Sequence, residues 1–294
     1  MKKSFEFPNQ LDITVTCASG VEKATKSELK RIGYDGVPAI NGALTFKGSP
    51  LDVARANVFL RTADRVYIKI TEFVAQSFDD LFDGVKSVKL ENYFPSDAKI
   101  TVNGKCVKSK LFAISACQSI VKKAVADRLC SVYGLNRLYE TGAEYHIEFA
   151  IFKDVCSLYL NTSGAGLHKR GYRDMVGIAP IKETLASSLL LMSDFYKNHP
   201  FADPFCGSGT IPIEAALTAK NRAPGLERAF QAMQWPQFPA DVWEEERELA
   251  RSMEFHGEYR ILGTDIDPKA IEIARENARR AGVDESVQTG GRDC

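Results

Sequence analysis

One stretch constrains the fold more than any other: Phe201-Ala-Asp203-Pro-Phe205-Cys-Gly207-Ser-Gly209-Thr210. A short strand, Phe201–Asp203, runs into two glycines and then into the helical pattern of Ile211–Lys220. A second strand, Arg260–Asp265, ends in an acid and feeds a helix over Pro268–Ala281, and 286–289 opens another strand. Strand, glycine turn, helix, strand, helix is the opening of a doubly wound α/β domain, which takes its ligands at the carboxyl ends of the strands. Gly207 and Gly209 let the backbone pass close to a ligand. A dinucleotide fingerprint is excluded, because its third glycine would fall at Pro212. Asp265, at a strand end, is placed to accept both hydroxyls of a ribose. Asp267 reads as the N-cap of the helix that begins at Pro268.

The first half has a different register. Strands are expected at 11–16, 43–47, 65–74, 98–102, 145–152 and 155–160, and helices at 20–33, 50–60, 78–88 and 112–133. They interleave without nucleotide glycine loops and read as two small α+β units. The polar run Asn161-Thr-Ser-Gly-Ala-Gly marks a boundary. The expected division is 1–64, 65–162 and 163–294.

Charge separates the halves. The 294 residues carry 38 basic and 38 acidic side chains, yet between Lys99 and Arg137 eight basic residues face one acid, Asp127. Such a positive segment attracts a polyanion. Lys105, Lys108, Lys110, Lys122, Lys123 and Arg128 are its candidate phosphate contacts. A second basic run, His168-Lys169-Arg170-Gly171-Tyr172-Arg173, lies between the halves, where a polyanion held by the first would pass to the second. Lys169, Arg170 and Arg173 are its candidate contacts, with Tyr172 as a stacking partner. No run of about 18 apolar residues exists to span a bilayer. The seven cysteines include no C-x-x-C pair, so reduced thiols in a cytoplasmic protein, without bound metal, are expected.

DPFCGSGTIPIEAAL followed by GTDIDPKAIEIARENARRAGV resembles motifs I and II of class I S-adenosylmethionine-dependent methyltransferases. With NTSGAGLHKRGYR and APIKETLA upstream, the chain resembles the THUMP-domain RNA methyltransferases of the RlmL type, guanine-N2 methylases of large-subunit ribosomal RNA. The resemblance implies a ferredoxin-like unit, a THUMP domain and a Rossmann-like methyltransferase domain, with S-adenosylmethionine as cofactor. It implies that Asp203 and the backbone of Phe205–Gly209, with Thr210, meet the methionine end. Asp265 takes the ribose, and Lys182, Glu183 and Thr184 close over the methionine moiety. Asp293 falls where the family contacts the adenine amine. The 56 residues from Gly209 to Asp265 hold an insertion of the kind this family carries there. Its Phe230, Trp235 and Phe238 read foremost as packing residues and secondarily as a base-stacking platform.

One family element is missing. Amino-group methylases use an Asn/Asp-Pro-Pro-Tyr/Phe tetrapeptide to hold the exocyclic amine, and this sequence has no Pro-Pro pair. The expectation is a C-terminally truncated chain with no catalytic residue of its own and an incomplete sheet, inactive alone. The alternatives are an RNA-binding module without activity, or methylation of transfer-RNA guanine-N2 or of adenine-N6.

Overall fold

A computed structural model describes residues 7–173, 180–193, 195–196 and 198–291. The first half contains β1 (Leu11–Thr16), α1 (Glu22–Arg31), β2 (Ala39–Ile40), β3 (Ala43–Gly48), α2 (Pro50–Phe59), β4 (Arg65–Val74), α3 (Phe78–Ser87), β5 (Lys99–Val107), α4 (Ile114–Tyr133), β6 (Glu144–Phe152) and β7 (Val155–Asn161). Then follow α5 (Glu183–Met192), β8 (Phe201–Asp203), α6 (Thr210–Ala219), α7 (Ala240–Ser252), β9 (Ile261–Asp265), α8 (Pro268–Arg280) and β10 (Val287–Gly291).

Local signals explain the helix starts. Ser49 and Asp52 form a reciprocal capping box before α2, whose first residue is Pro50, and Ser77 and Asp80 form another before α3. Asp267 caps α8 by accepting the Lys269 N–H at 2.9 Å. Strand β5 runs on past the expected 98–102 to Val107, in parallel with β6.

The two units expected in the first half share one sheet. Its seven strands run in the order β2-β3-β1-β4-β7-β6-β5. Strand β4 joins them because it has ten residues. Its start pairs with β1 through Thr16↔Arg65 to Asp12↔Lys69, and its other edge pairs with β7 as far as Val74↔Val155, across an irregularity between Lys69 and Thr71. Burial alternates along β6, so Tyr145, Ile147 and Phe149 enter the core, joined by Leu11, Ile13 and Val15 of β1 and Cys156, Leu158 and Leu160 of β7.

The second half holds a parallel three-stranded sheet, β10-β9-β8. Its apolar cluster is small, built on Ile213, Leu217, Ile261, Val283 and Val287. The insertion between α6 and β9 leaves this sheet and packs into the core of the first half. Trp235, 1% exposed, stacks on Tyr145 with ring centroids 4.8 Å apart, and its Nε1–H donates to the Glu144 carbonyl at 2.8 Å. Phe230 stacks on Trp243, and Phe238 packs on both tryptophans. All three insertion aromatics are buried, so the packing role holds and none offers a face for a base.

Candidate active site

The site lies at the carboxyl ends of β8 and β9. A cavity of about 550 Å³ opens there, lined by the Asp203–Thr210 turn, Asp265, and Lys269, Ala270 and Ile273 of α8. Pro180 and Ile181 close one side.

Asp265 is fixed by backbone donors. One carboxylate oxygen accepts the Gly207 N–H at 2.9 Å and the other accepts the Asp267 N–H at 3.0 Å. These N–H groups, Asp267 first and Gly207 second, hold its pKa below the usual carboxylate range. Each oxygen keeps a lone pair, so an ionised acceptor pair faces the cavity, suited to two vicinal hydroxyls. Asp203 behaves oppositely. Burial raises its pKa; the Phe205 N–H, donated to its Oδ1 at 3.1 Å, works against that rise, and the Asp265 charge adds to it. An ionised Asp203 therefore gains most from a cation placed in the cavity.

The two glycines do different work. Gly207, at φ 51°, has open space where a Cβ would project, so a ligand can come close. Gly209, at φ 81°, would place a Cβ 3.0 Å from the Ala274 Cβ, so it lets α6 start against α8. Cys206 has its thiol pushed up to about 12 by burial and by the charges of Asp203 and Asp265, so it is no nucleophile at neutral pH. Phe205 is 76% exposed at the mouth.

The upstream motif needs correction. Glu183, 2% exposed, pairs with Arg173 at 3.0 Å, and the Thr184 hydroxyl donates to Asp64 Oδ1 at 2.8 Å. Neither side chain lines the cavity, whose wall on that side is made by Pro180 and Ile181. Lys182 is exposed. Asp293 lies outside the described residues. Sequence reasoning missed Lys269, Ala270 and Ile273; their spacing on the first turns of α8, just past Asp265, is the signal that would have found them.

The basic candidates also divide. Arg170 is withdrawn from RNA contact: its side chain is 3% exposed, pairs with the buried Glu214 at 3.5 Å, and donates to the Arg61 and Leu167 carbonyls. Arg173 is spent on Glu183 and on the Ile181 carbonyl, and Tyr172, 4% exposed, donates its hydroxyl to Glu214. A buried carboxylate must be paired, and these residues pair two of them. Arg128 grips Glu91 with two donors, and Lys122 pairs with Glu140 at 3.0 Å. Lys123 lies over the Phe82 ring. Lys105, Lys108, Lys110 and Lys169 are exposed. Lys105, Lys108 and Lys110 surround the end of β5, beside Phe112, which is 82% exposed, and Lys153 over the Phe152 ring.

No helix among the described residues is long and apolar enough to cross a membrane. Comparison with known proteins agrees with the geometry. Residues 12–67 match the RlmL ferredoxin-like domain, 75–161 the THUMP domain and 170–294 the RMKL-like methyltransferase domain. YpsC of Bacillus subtilis, named for RNA methyltransferase activity, is 41% identical over 94% of this chain and 72% of its own length. A Listeria monocytogenes structure described as a predicted N6-adenine-specific DNA methylase is 44% identical, superposes with a TM-score of 0.92, and is covered to 75% by 97% of this chain. SMU.472, described as a methyltransferase and crystallised with SAH, is 36% identical with a TM-score of 0.93, over 97% of this chain and 76% of that one. With its ferredoxin-like, THUMP and methyltransferase domains in this order, the chain belongs to the RlmL-like family of THUMP-containing methyltransferases.

Proposed function

We propose that this chain binds S-adenosylmethionine in the β8–β9 cavity and serves methylation of a guanine exocyclic amine, N2, in large-subunit ribosomal RNA, in the cytoplasm. The observation that carries the cofactor reading is Asp265, an ionised acceptor pair at the cavity wall, held by the backbone N–H groups of Gly207 and Asp267. The residues fit the cofactor's chemistry: a diol acceptor in Asp265, a second carboxylate in Asp203 for an ammonium group, and a Gly207 backbone a ligand can approach. When bound, the cofactor supplies an activated methyl group on a sulfonium. Asp265 then orients the ribose, and Asp203, ionised by its new counter-charge, fixes the amino-acid end. Thr210 and Ile211 wall the space between them. Positioning supplies most of the rate in such a transfer.

The RNA reading rests on the THUMP match, on the resemblance and on the lysines around the end of β5. Guanine-N2 and ribosomal RNA rest on the resemblance alone. Residues 1–294 include no Pro-Pro pair, so the amine clamp of the family is not among them. The division 1–64, 65–162 and 163–294 is retained as a functional one, although the first two units share a sheet.

Two measurements test this. Isothermal titration of residues 1–294 with SAH is expected to show one site per chain; no binding would sink the cofactor reading. Tritiated methyl transfer to undermodified large-subunit RNA is expected to be absent with residues 1–294 and present with a longer form that includes the tetrapeptide. Nucleoside analysis of the product should give N2-methylguanosine; N6-methyladenosine would replace the guanine reading.

A further inference from the structure

With Arg170 and Arg173 turned inward, another set of cations occupies the junction of the two halves. The loop 164–169 is pinned to the first half: the Leu167 N–H donates to the Asp64 carbonyl at 2.8 Å, and Arg65 Nε donates to the Gly164 carbonyl at 3.3 Å. From beneath, Arg228 donates to the carbonyls of Ala165, Gly166 and Lys169. None of these partners is a carboxylate, and Arg228 Nε is buried with no hydrogen-bond partner. Its pKa is pushed down to about 10 by burial and by Arg170, so it stays charged at neutral pH.

His168 packs its imidazole against Gly166 on the same loop. Burial lowers its pKa; Lys182, Lys169 and Arg65 lower it further, and Asp64 opposes them. Asp64 already accepts the Thr184 hydroxyl. Glu148, on β6, is taken up by Tyr67 and Asn161. Lys169 and Lys182 are exposed, and Arg65 and His168 are partly so. Cations are thus gathered here in excess of the acids that face them. Lys182 directly follows Pro180 and Ile181, which line the cavity.

We propose that Arg65, His168, Lys169 and Lys182 clamp the sugar–phosphate backbone of the RNA substrate where it passes from the first half to the cofactor cavity, with Arg228 bracing the loop. This rests on the RNA reading above and adds the place where the strand is held. A phosphate seated among these groups relieves their mutual repulsion and favours the protonated imidazole. Binding therefore strengthens as pH falls through the His168 range, below about 6.5.

The test uses a fluorescein-labelled RNA hairpin with a single-stranded extension, followed by anisotropy at several salt concentrations. The double variant Arg65→Ala/Lys169→Ala is expected to flatten the log–log salt dependence by roughly 0.7 per lost contact, about 1.4 for the pair. Its SAH titration should match the parent, with the melting temperature lowered only slightly by loss of the Arg65–Gly164 bond. His168→Gln should abolish the strengthening of binding at lower pH. An unchanged slope in the double variant, or an unchanged pH dependence in His168→Gln, overturns the clamp while leaving the RNA reading intact. Failure of the parent protein to bind the hairpin overturns both.

Discussion

Among the described residues the two sheets of this molecule differ in how their apolar faces are covered. The seven-stranded sheet fills one face with β-branched and aromatic residues and recruits the insertion of the second half to complete it. The three-stranded sheet has a short apolar cluster and leaves Phe205 and Ile266 more than two-thirds exposed at its ligand end, at 76% and 74%. The half that carries the β8–β9 cavity therefore takes part of its support from the other. Besides the aromatic packing, Arg55 grips Glu246 of α7 with two donors, and the Gly225 N–H donates to the Val58 carbonyl.

The strongest way to break this comparison is Trp235→Ala. The side chain sits among Tyr145, Phe7 and Phe238, far in sequence from the strands it covers. Removing it from so tight a site costs about 3–5 kcal/mol, and it orphans the Glu144 carbonyl only in part, since Gln231 also donates there. Urea unfolding is expected to show the loss in both halves at once. A transition confined to the second half would mean that the two cores are independent. Next in size is Asp265→Ala, which acts on the open site and not on the cores. SAH affinity should fall by about 1.5–3 kcal/mol, on the scale of a hydrogen bond to a charged group, with the melting temperature preserved. Equal titrations for parent and variant would remove the ribose assignment.

The same contrast decides what was legible in the sequence. Strand and helix positions were readable almost throughout, because β1 and β6 alternate in sequence and α2, α3 and α8 carry caps. The Asp203–Thr210 turn and Asp265 were readable because glycines and acids at strand ends are local signals. What was hidden is tertiary. Nothing near Trp235 says that its partner is Tyr145, about 90 residues earlier in the chain by the span of that hydrogen-bonded region. Arg170 and Arg173 read as surface cations because their acids, Glu214 and Glu183, stand on helices that only the fold brings over them. The join of two expected units through β4 was hidden for the same reason, since a strand does not announce that both its edges are used.

Asp203 sharpens the picture of the open site through pH. Its pKa is raised in the empty cavity by burial, with the Asp265 charge adding to the rise. An ammonium bound beside it stabilises the ionised form and lowers that pKa. Affinity for SAH is therefore full above the raised value and falls as pH drops through it, while Asp265, held low by backbone donors, stays ionised over that window. The expected signature is a loss of SAH affinity on acidification that begins above the ordinary aspartate range, near 3.9 as a rough reference. Asp203→Asn should bind more weakly and with little dependence on pH. The same acid-dependent loss in that variant would move the ammonium contact to another group.

The smallest expected effect tests the closed half. Arg128 on α4 holds Glu91 through its Nε at 3.0 Å and through a second nitrogen, and both side chains are about a quarter exposed, at 25% and 22%. That fork fixes the guanidinium in place and neutralises it. Loss of the pair should cost no more than about 1 kcal/mol, because solvent screens it and its side-chain entropy opposes it. It should also leave the salt dependence of RNA binding unchanged, since a neutralised arginine releases no counterion. Arg128→Ala is thus expected to lower the urea midpoint slightly and to bind the labelled hairpin with the parent slope, whereas Lys108→Ala, beside the exposed Phe112, should flatten it. A flattened slope for Arg128→Ala would show that RNA competes with Glu91 for the guanidinium, and would bring the middle of α4 into the interface.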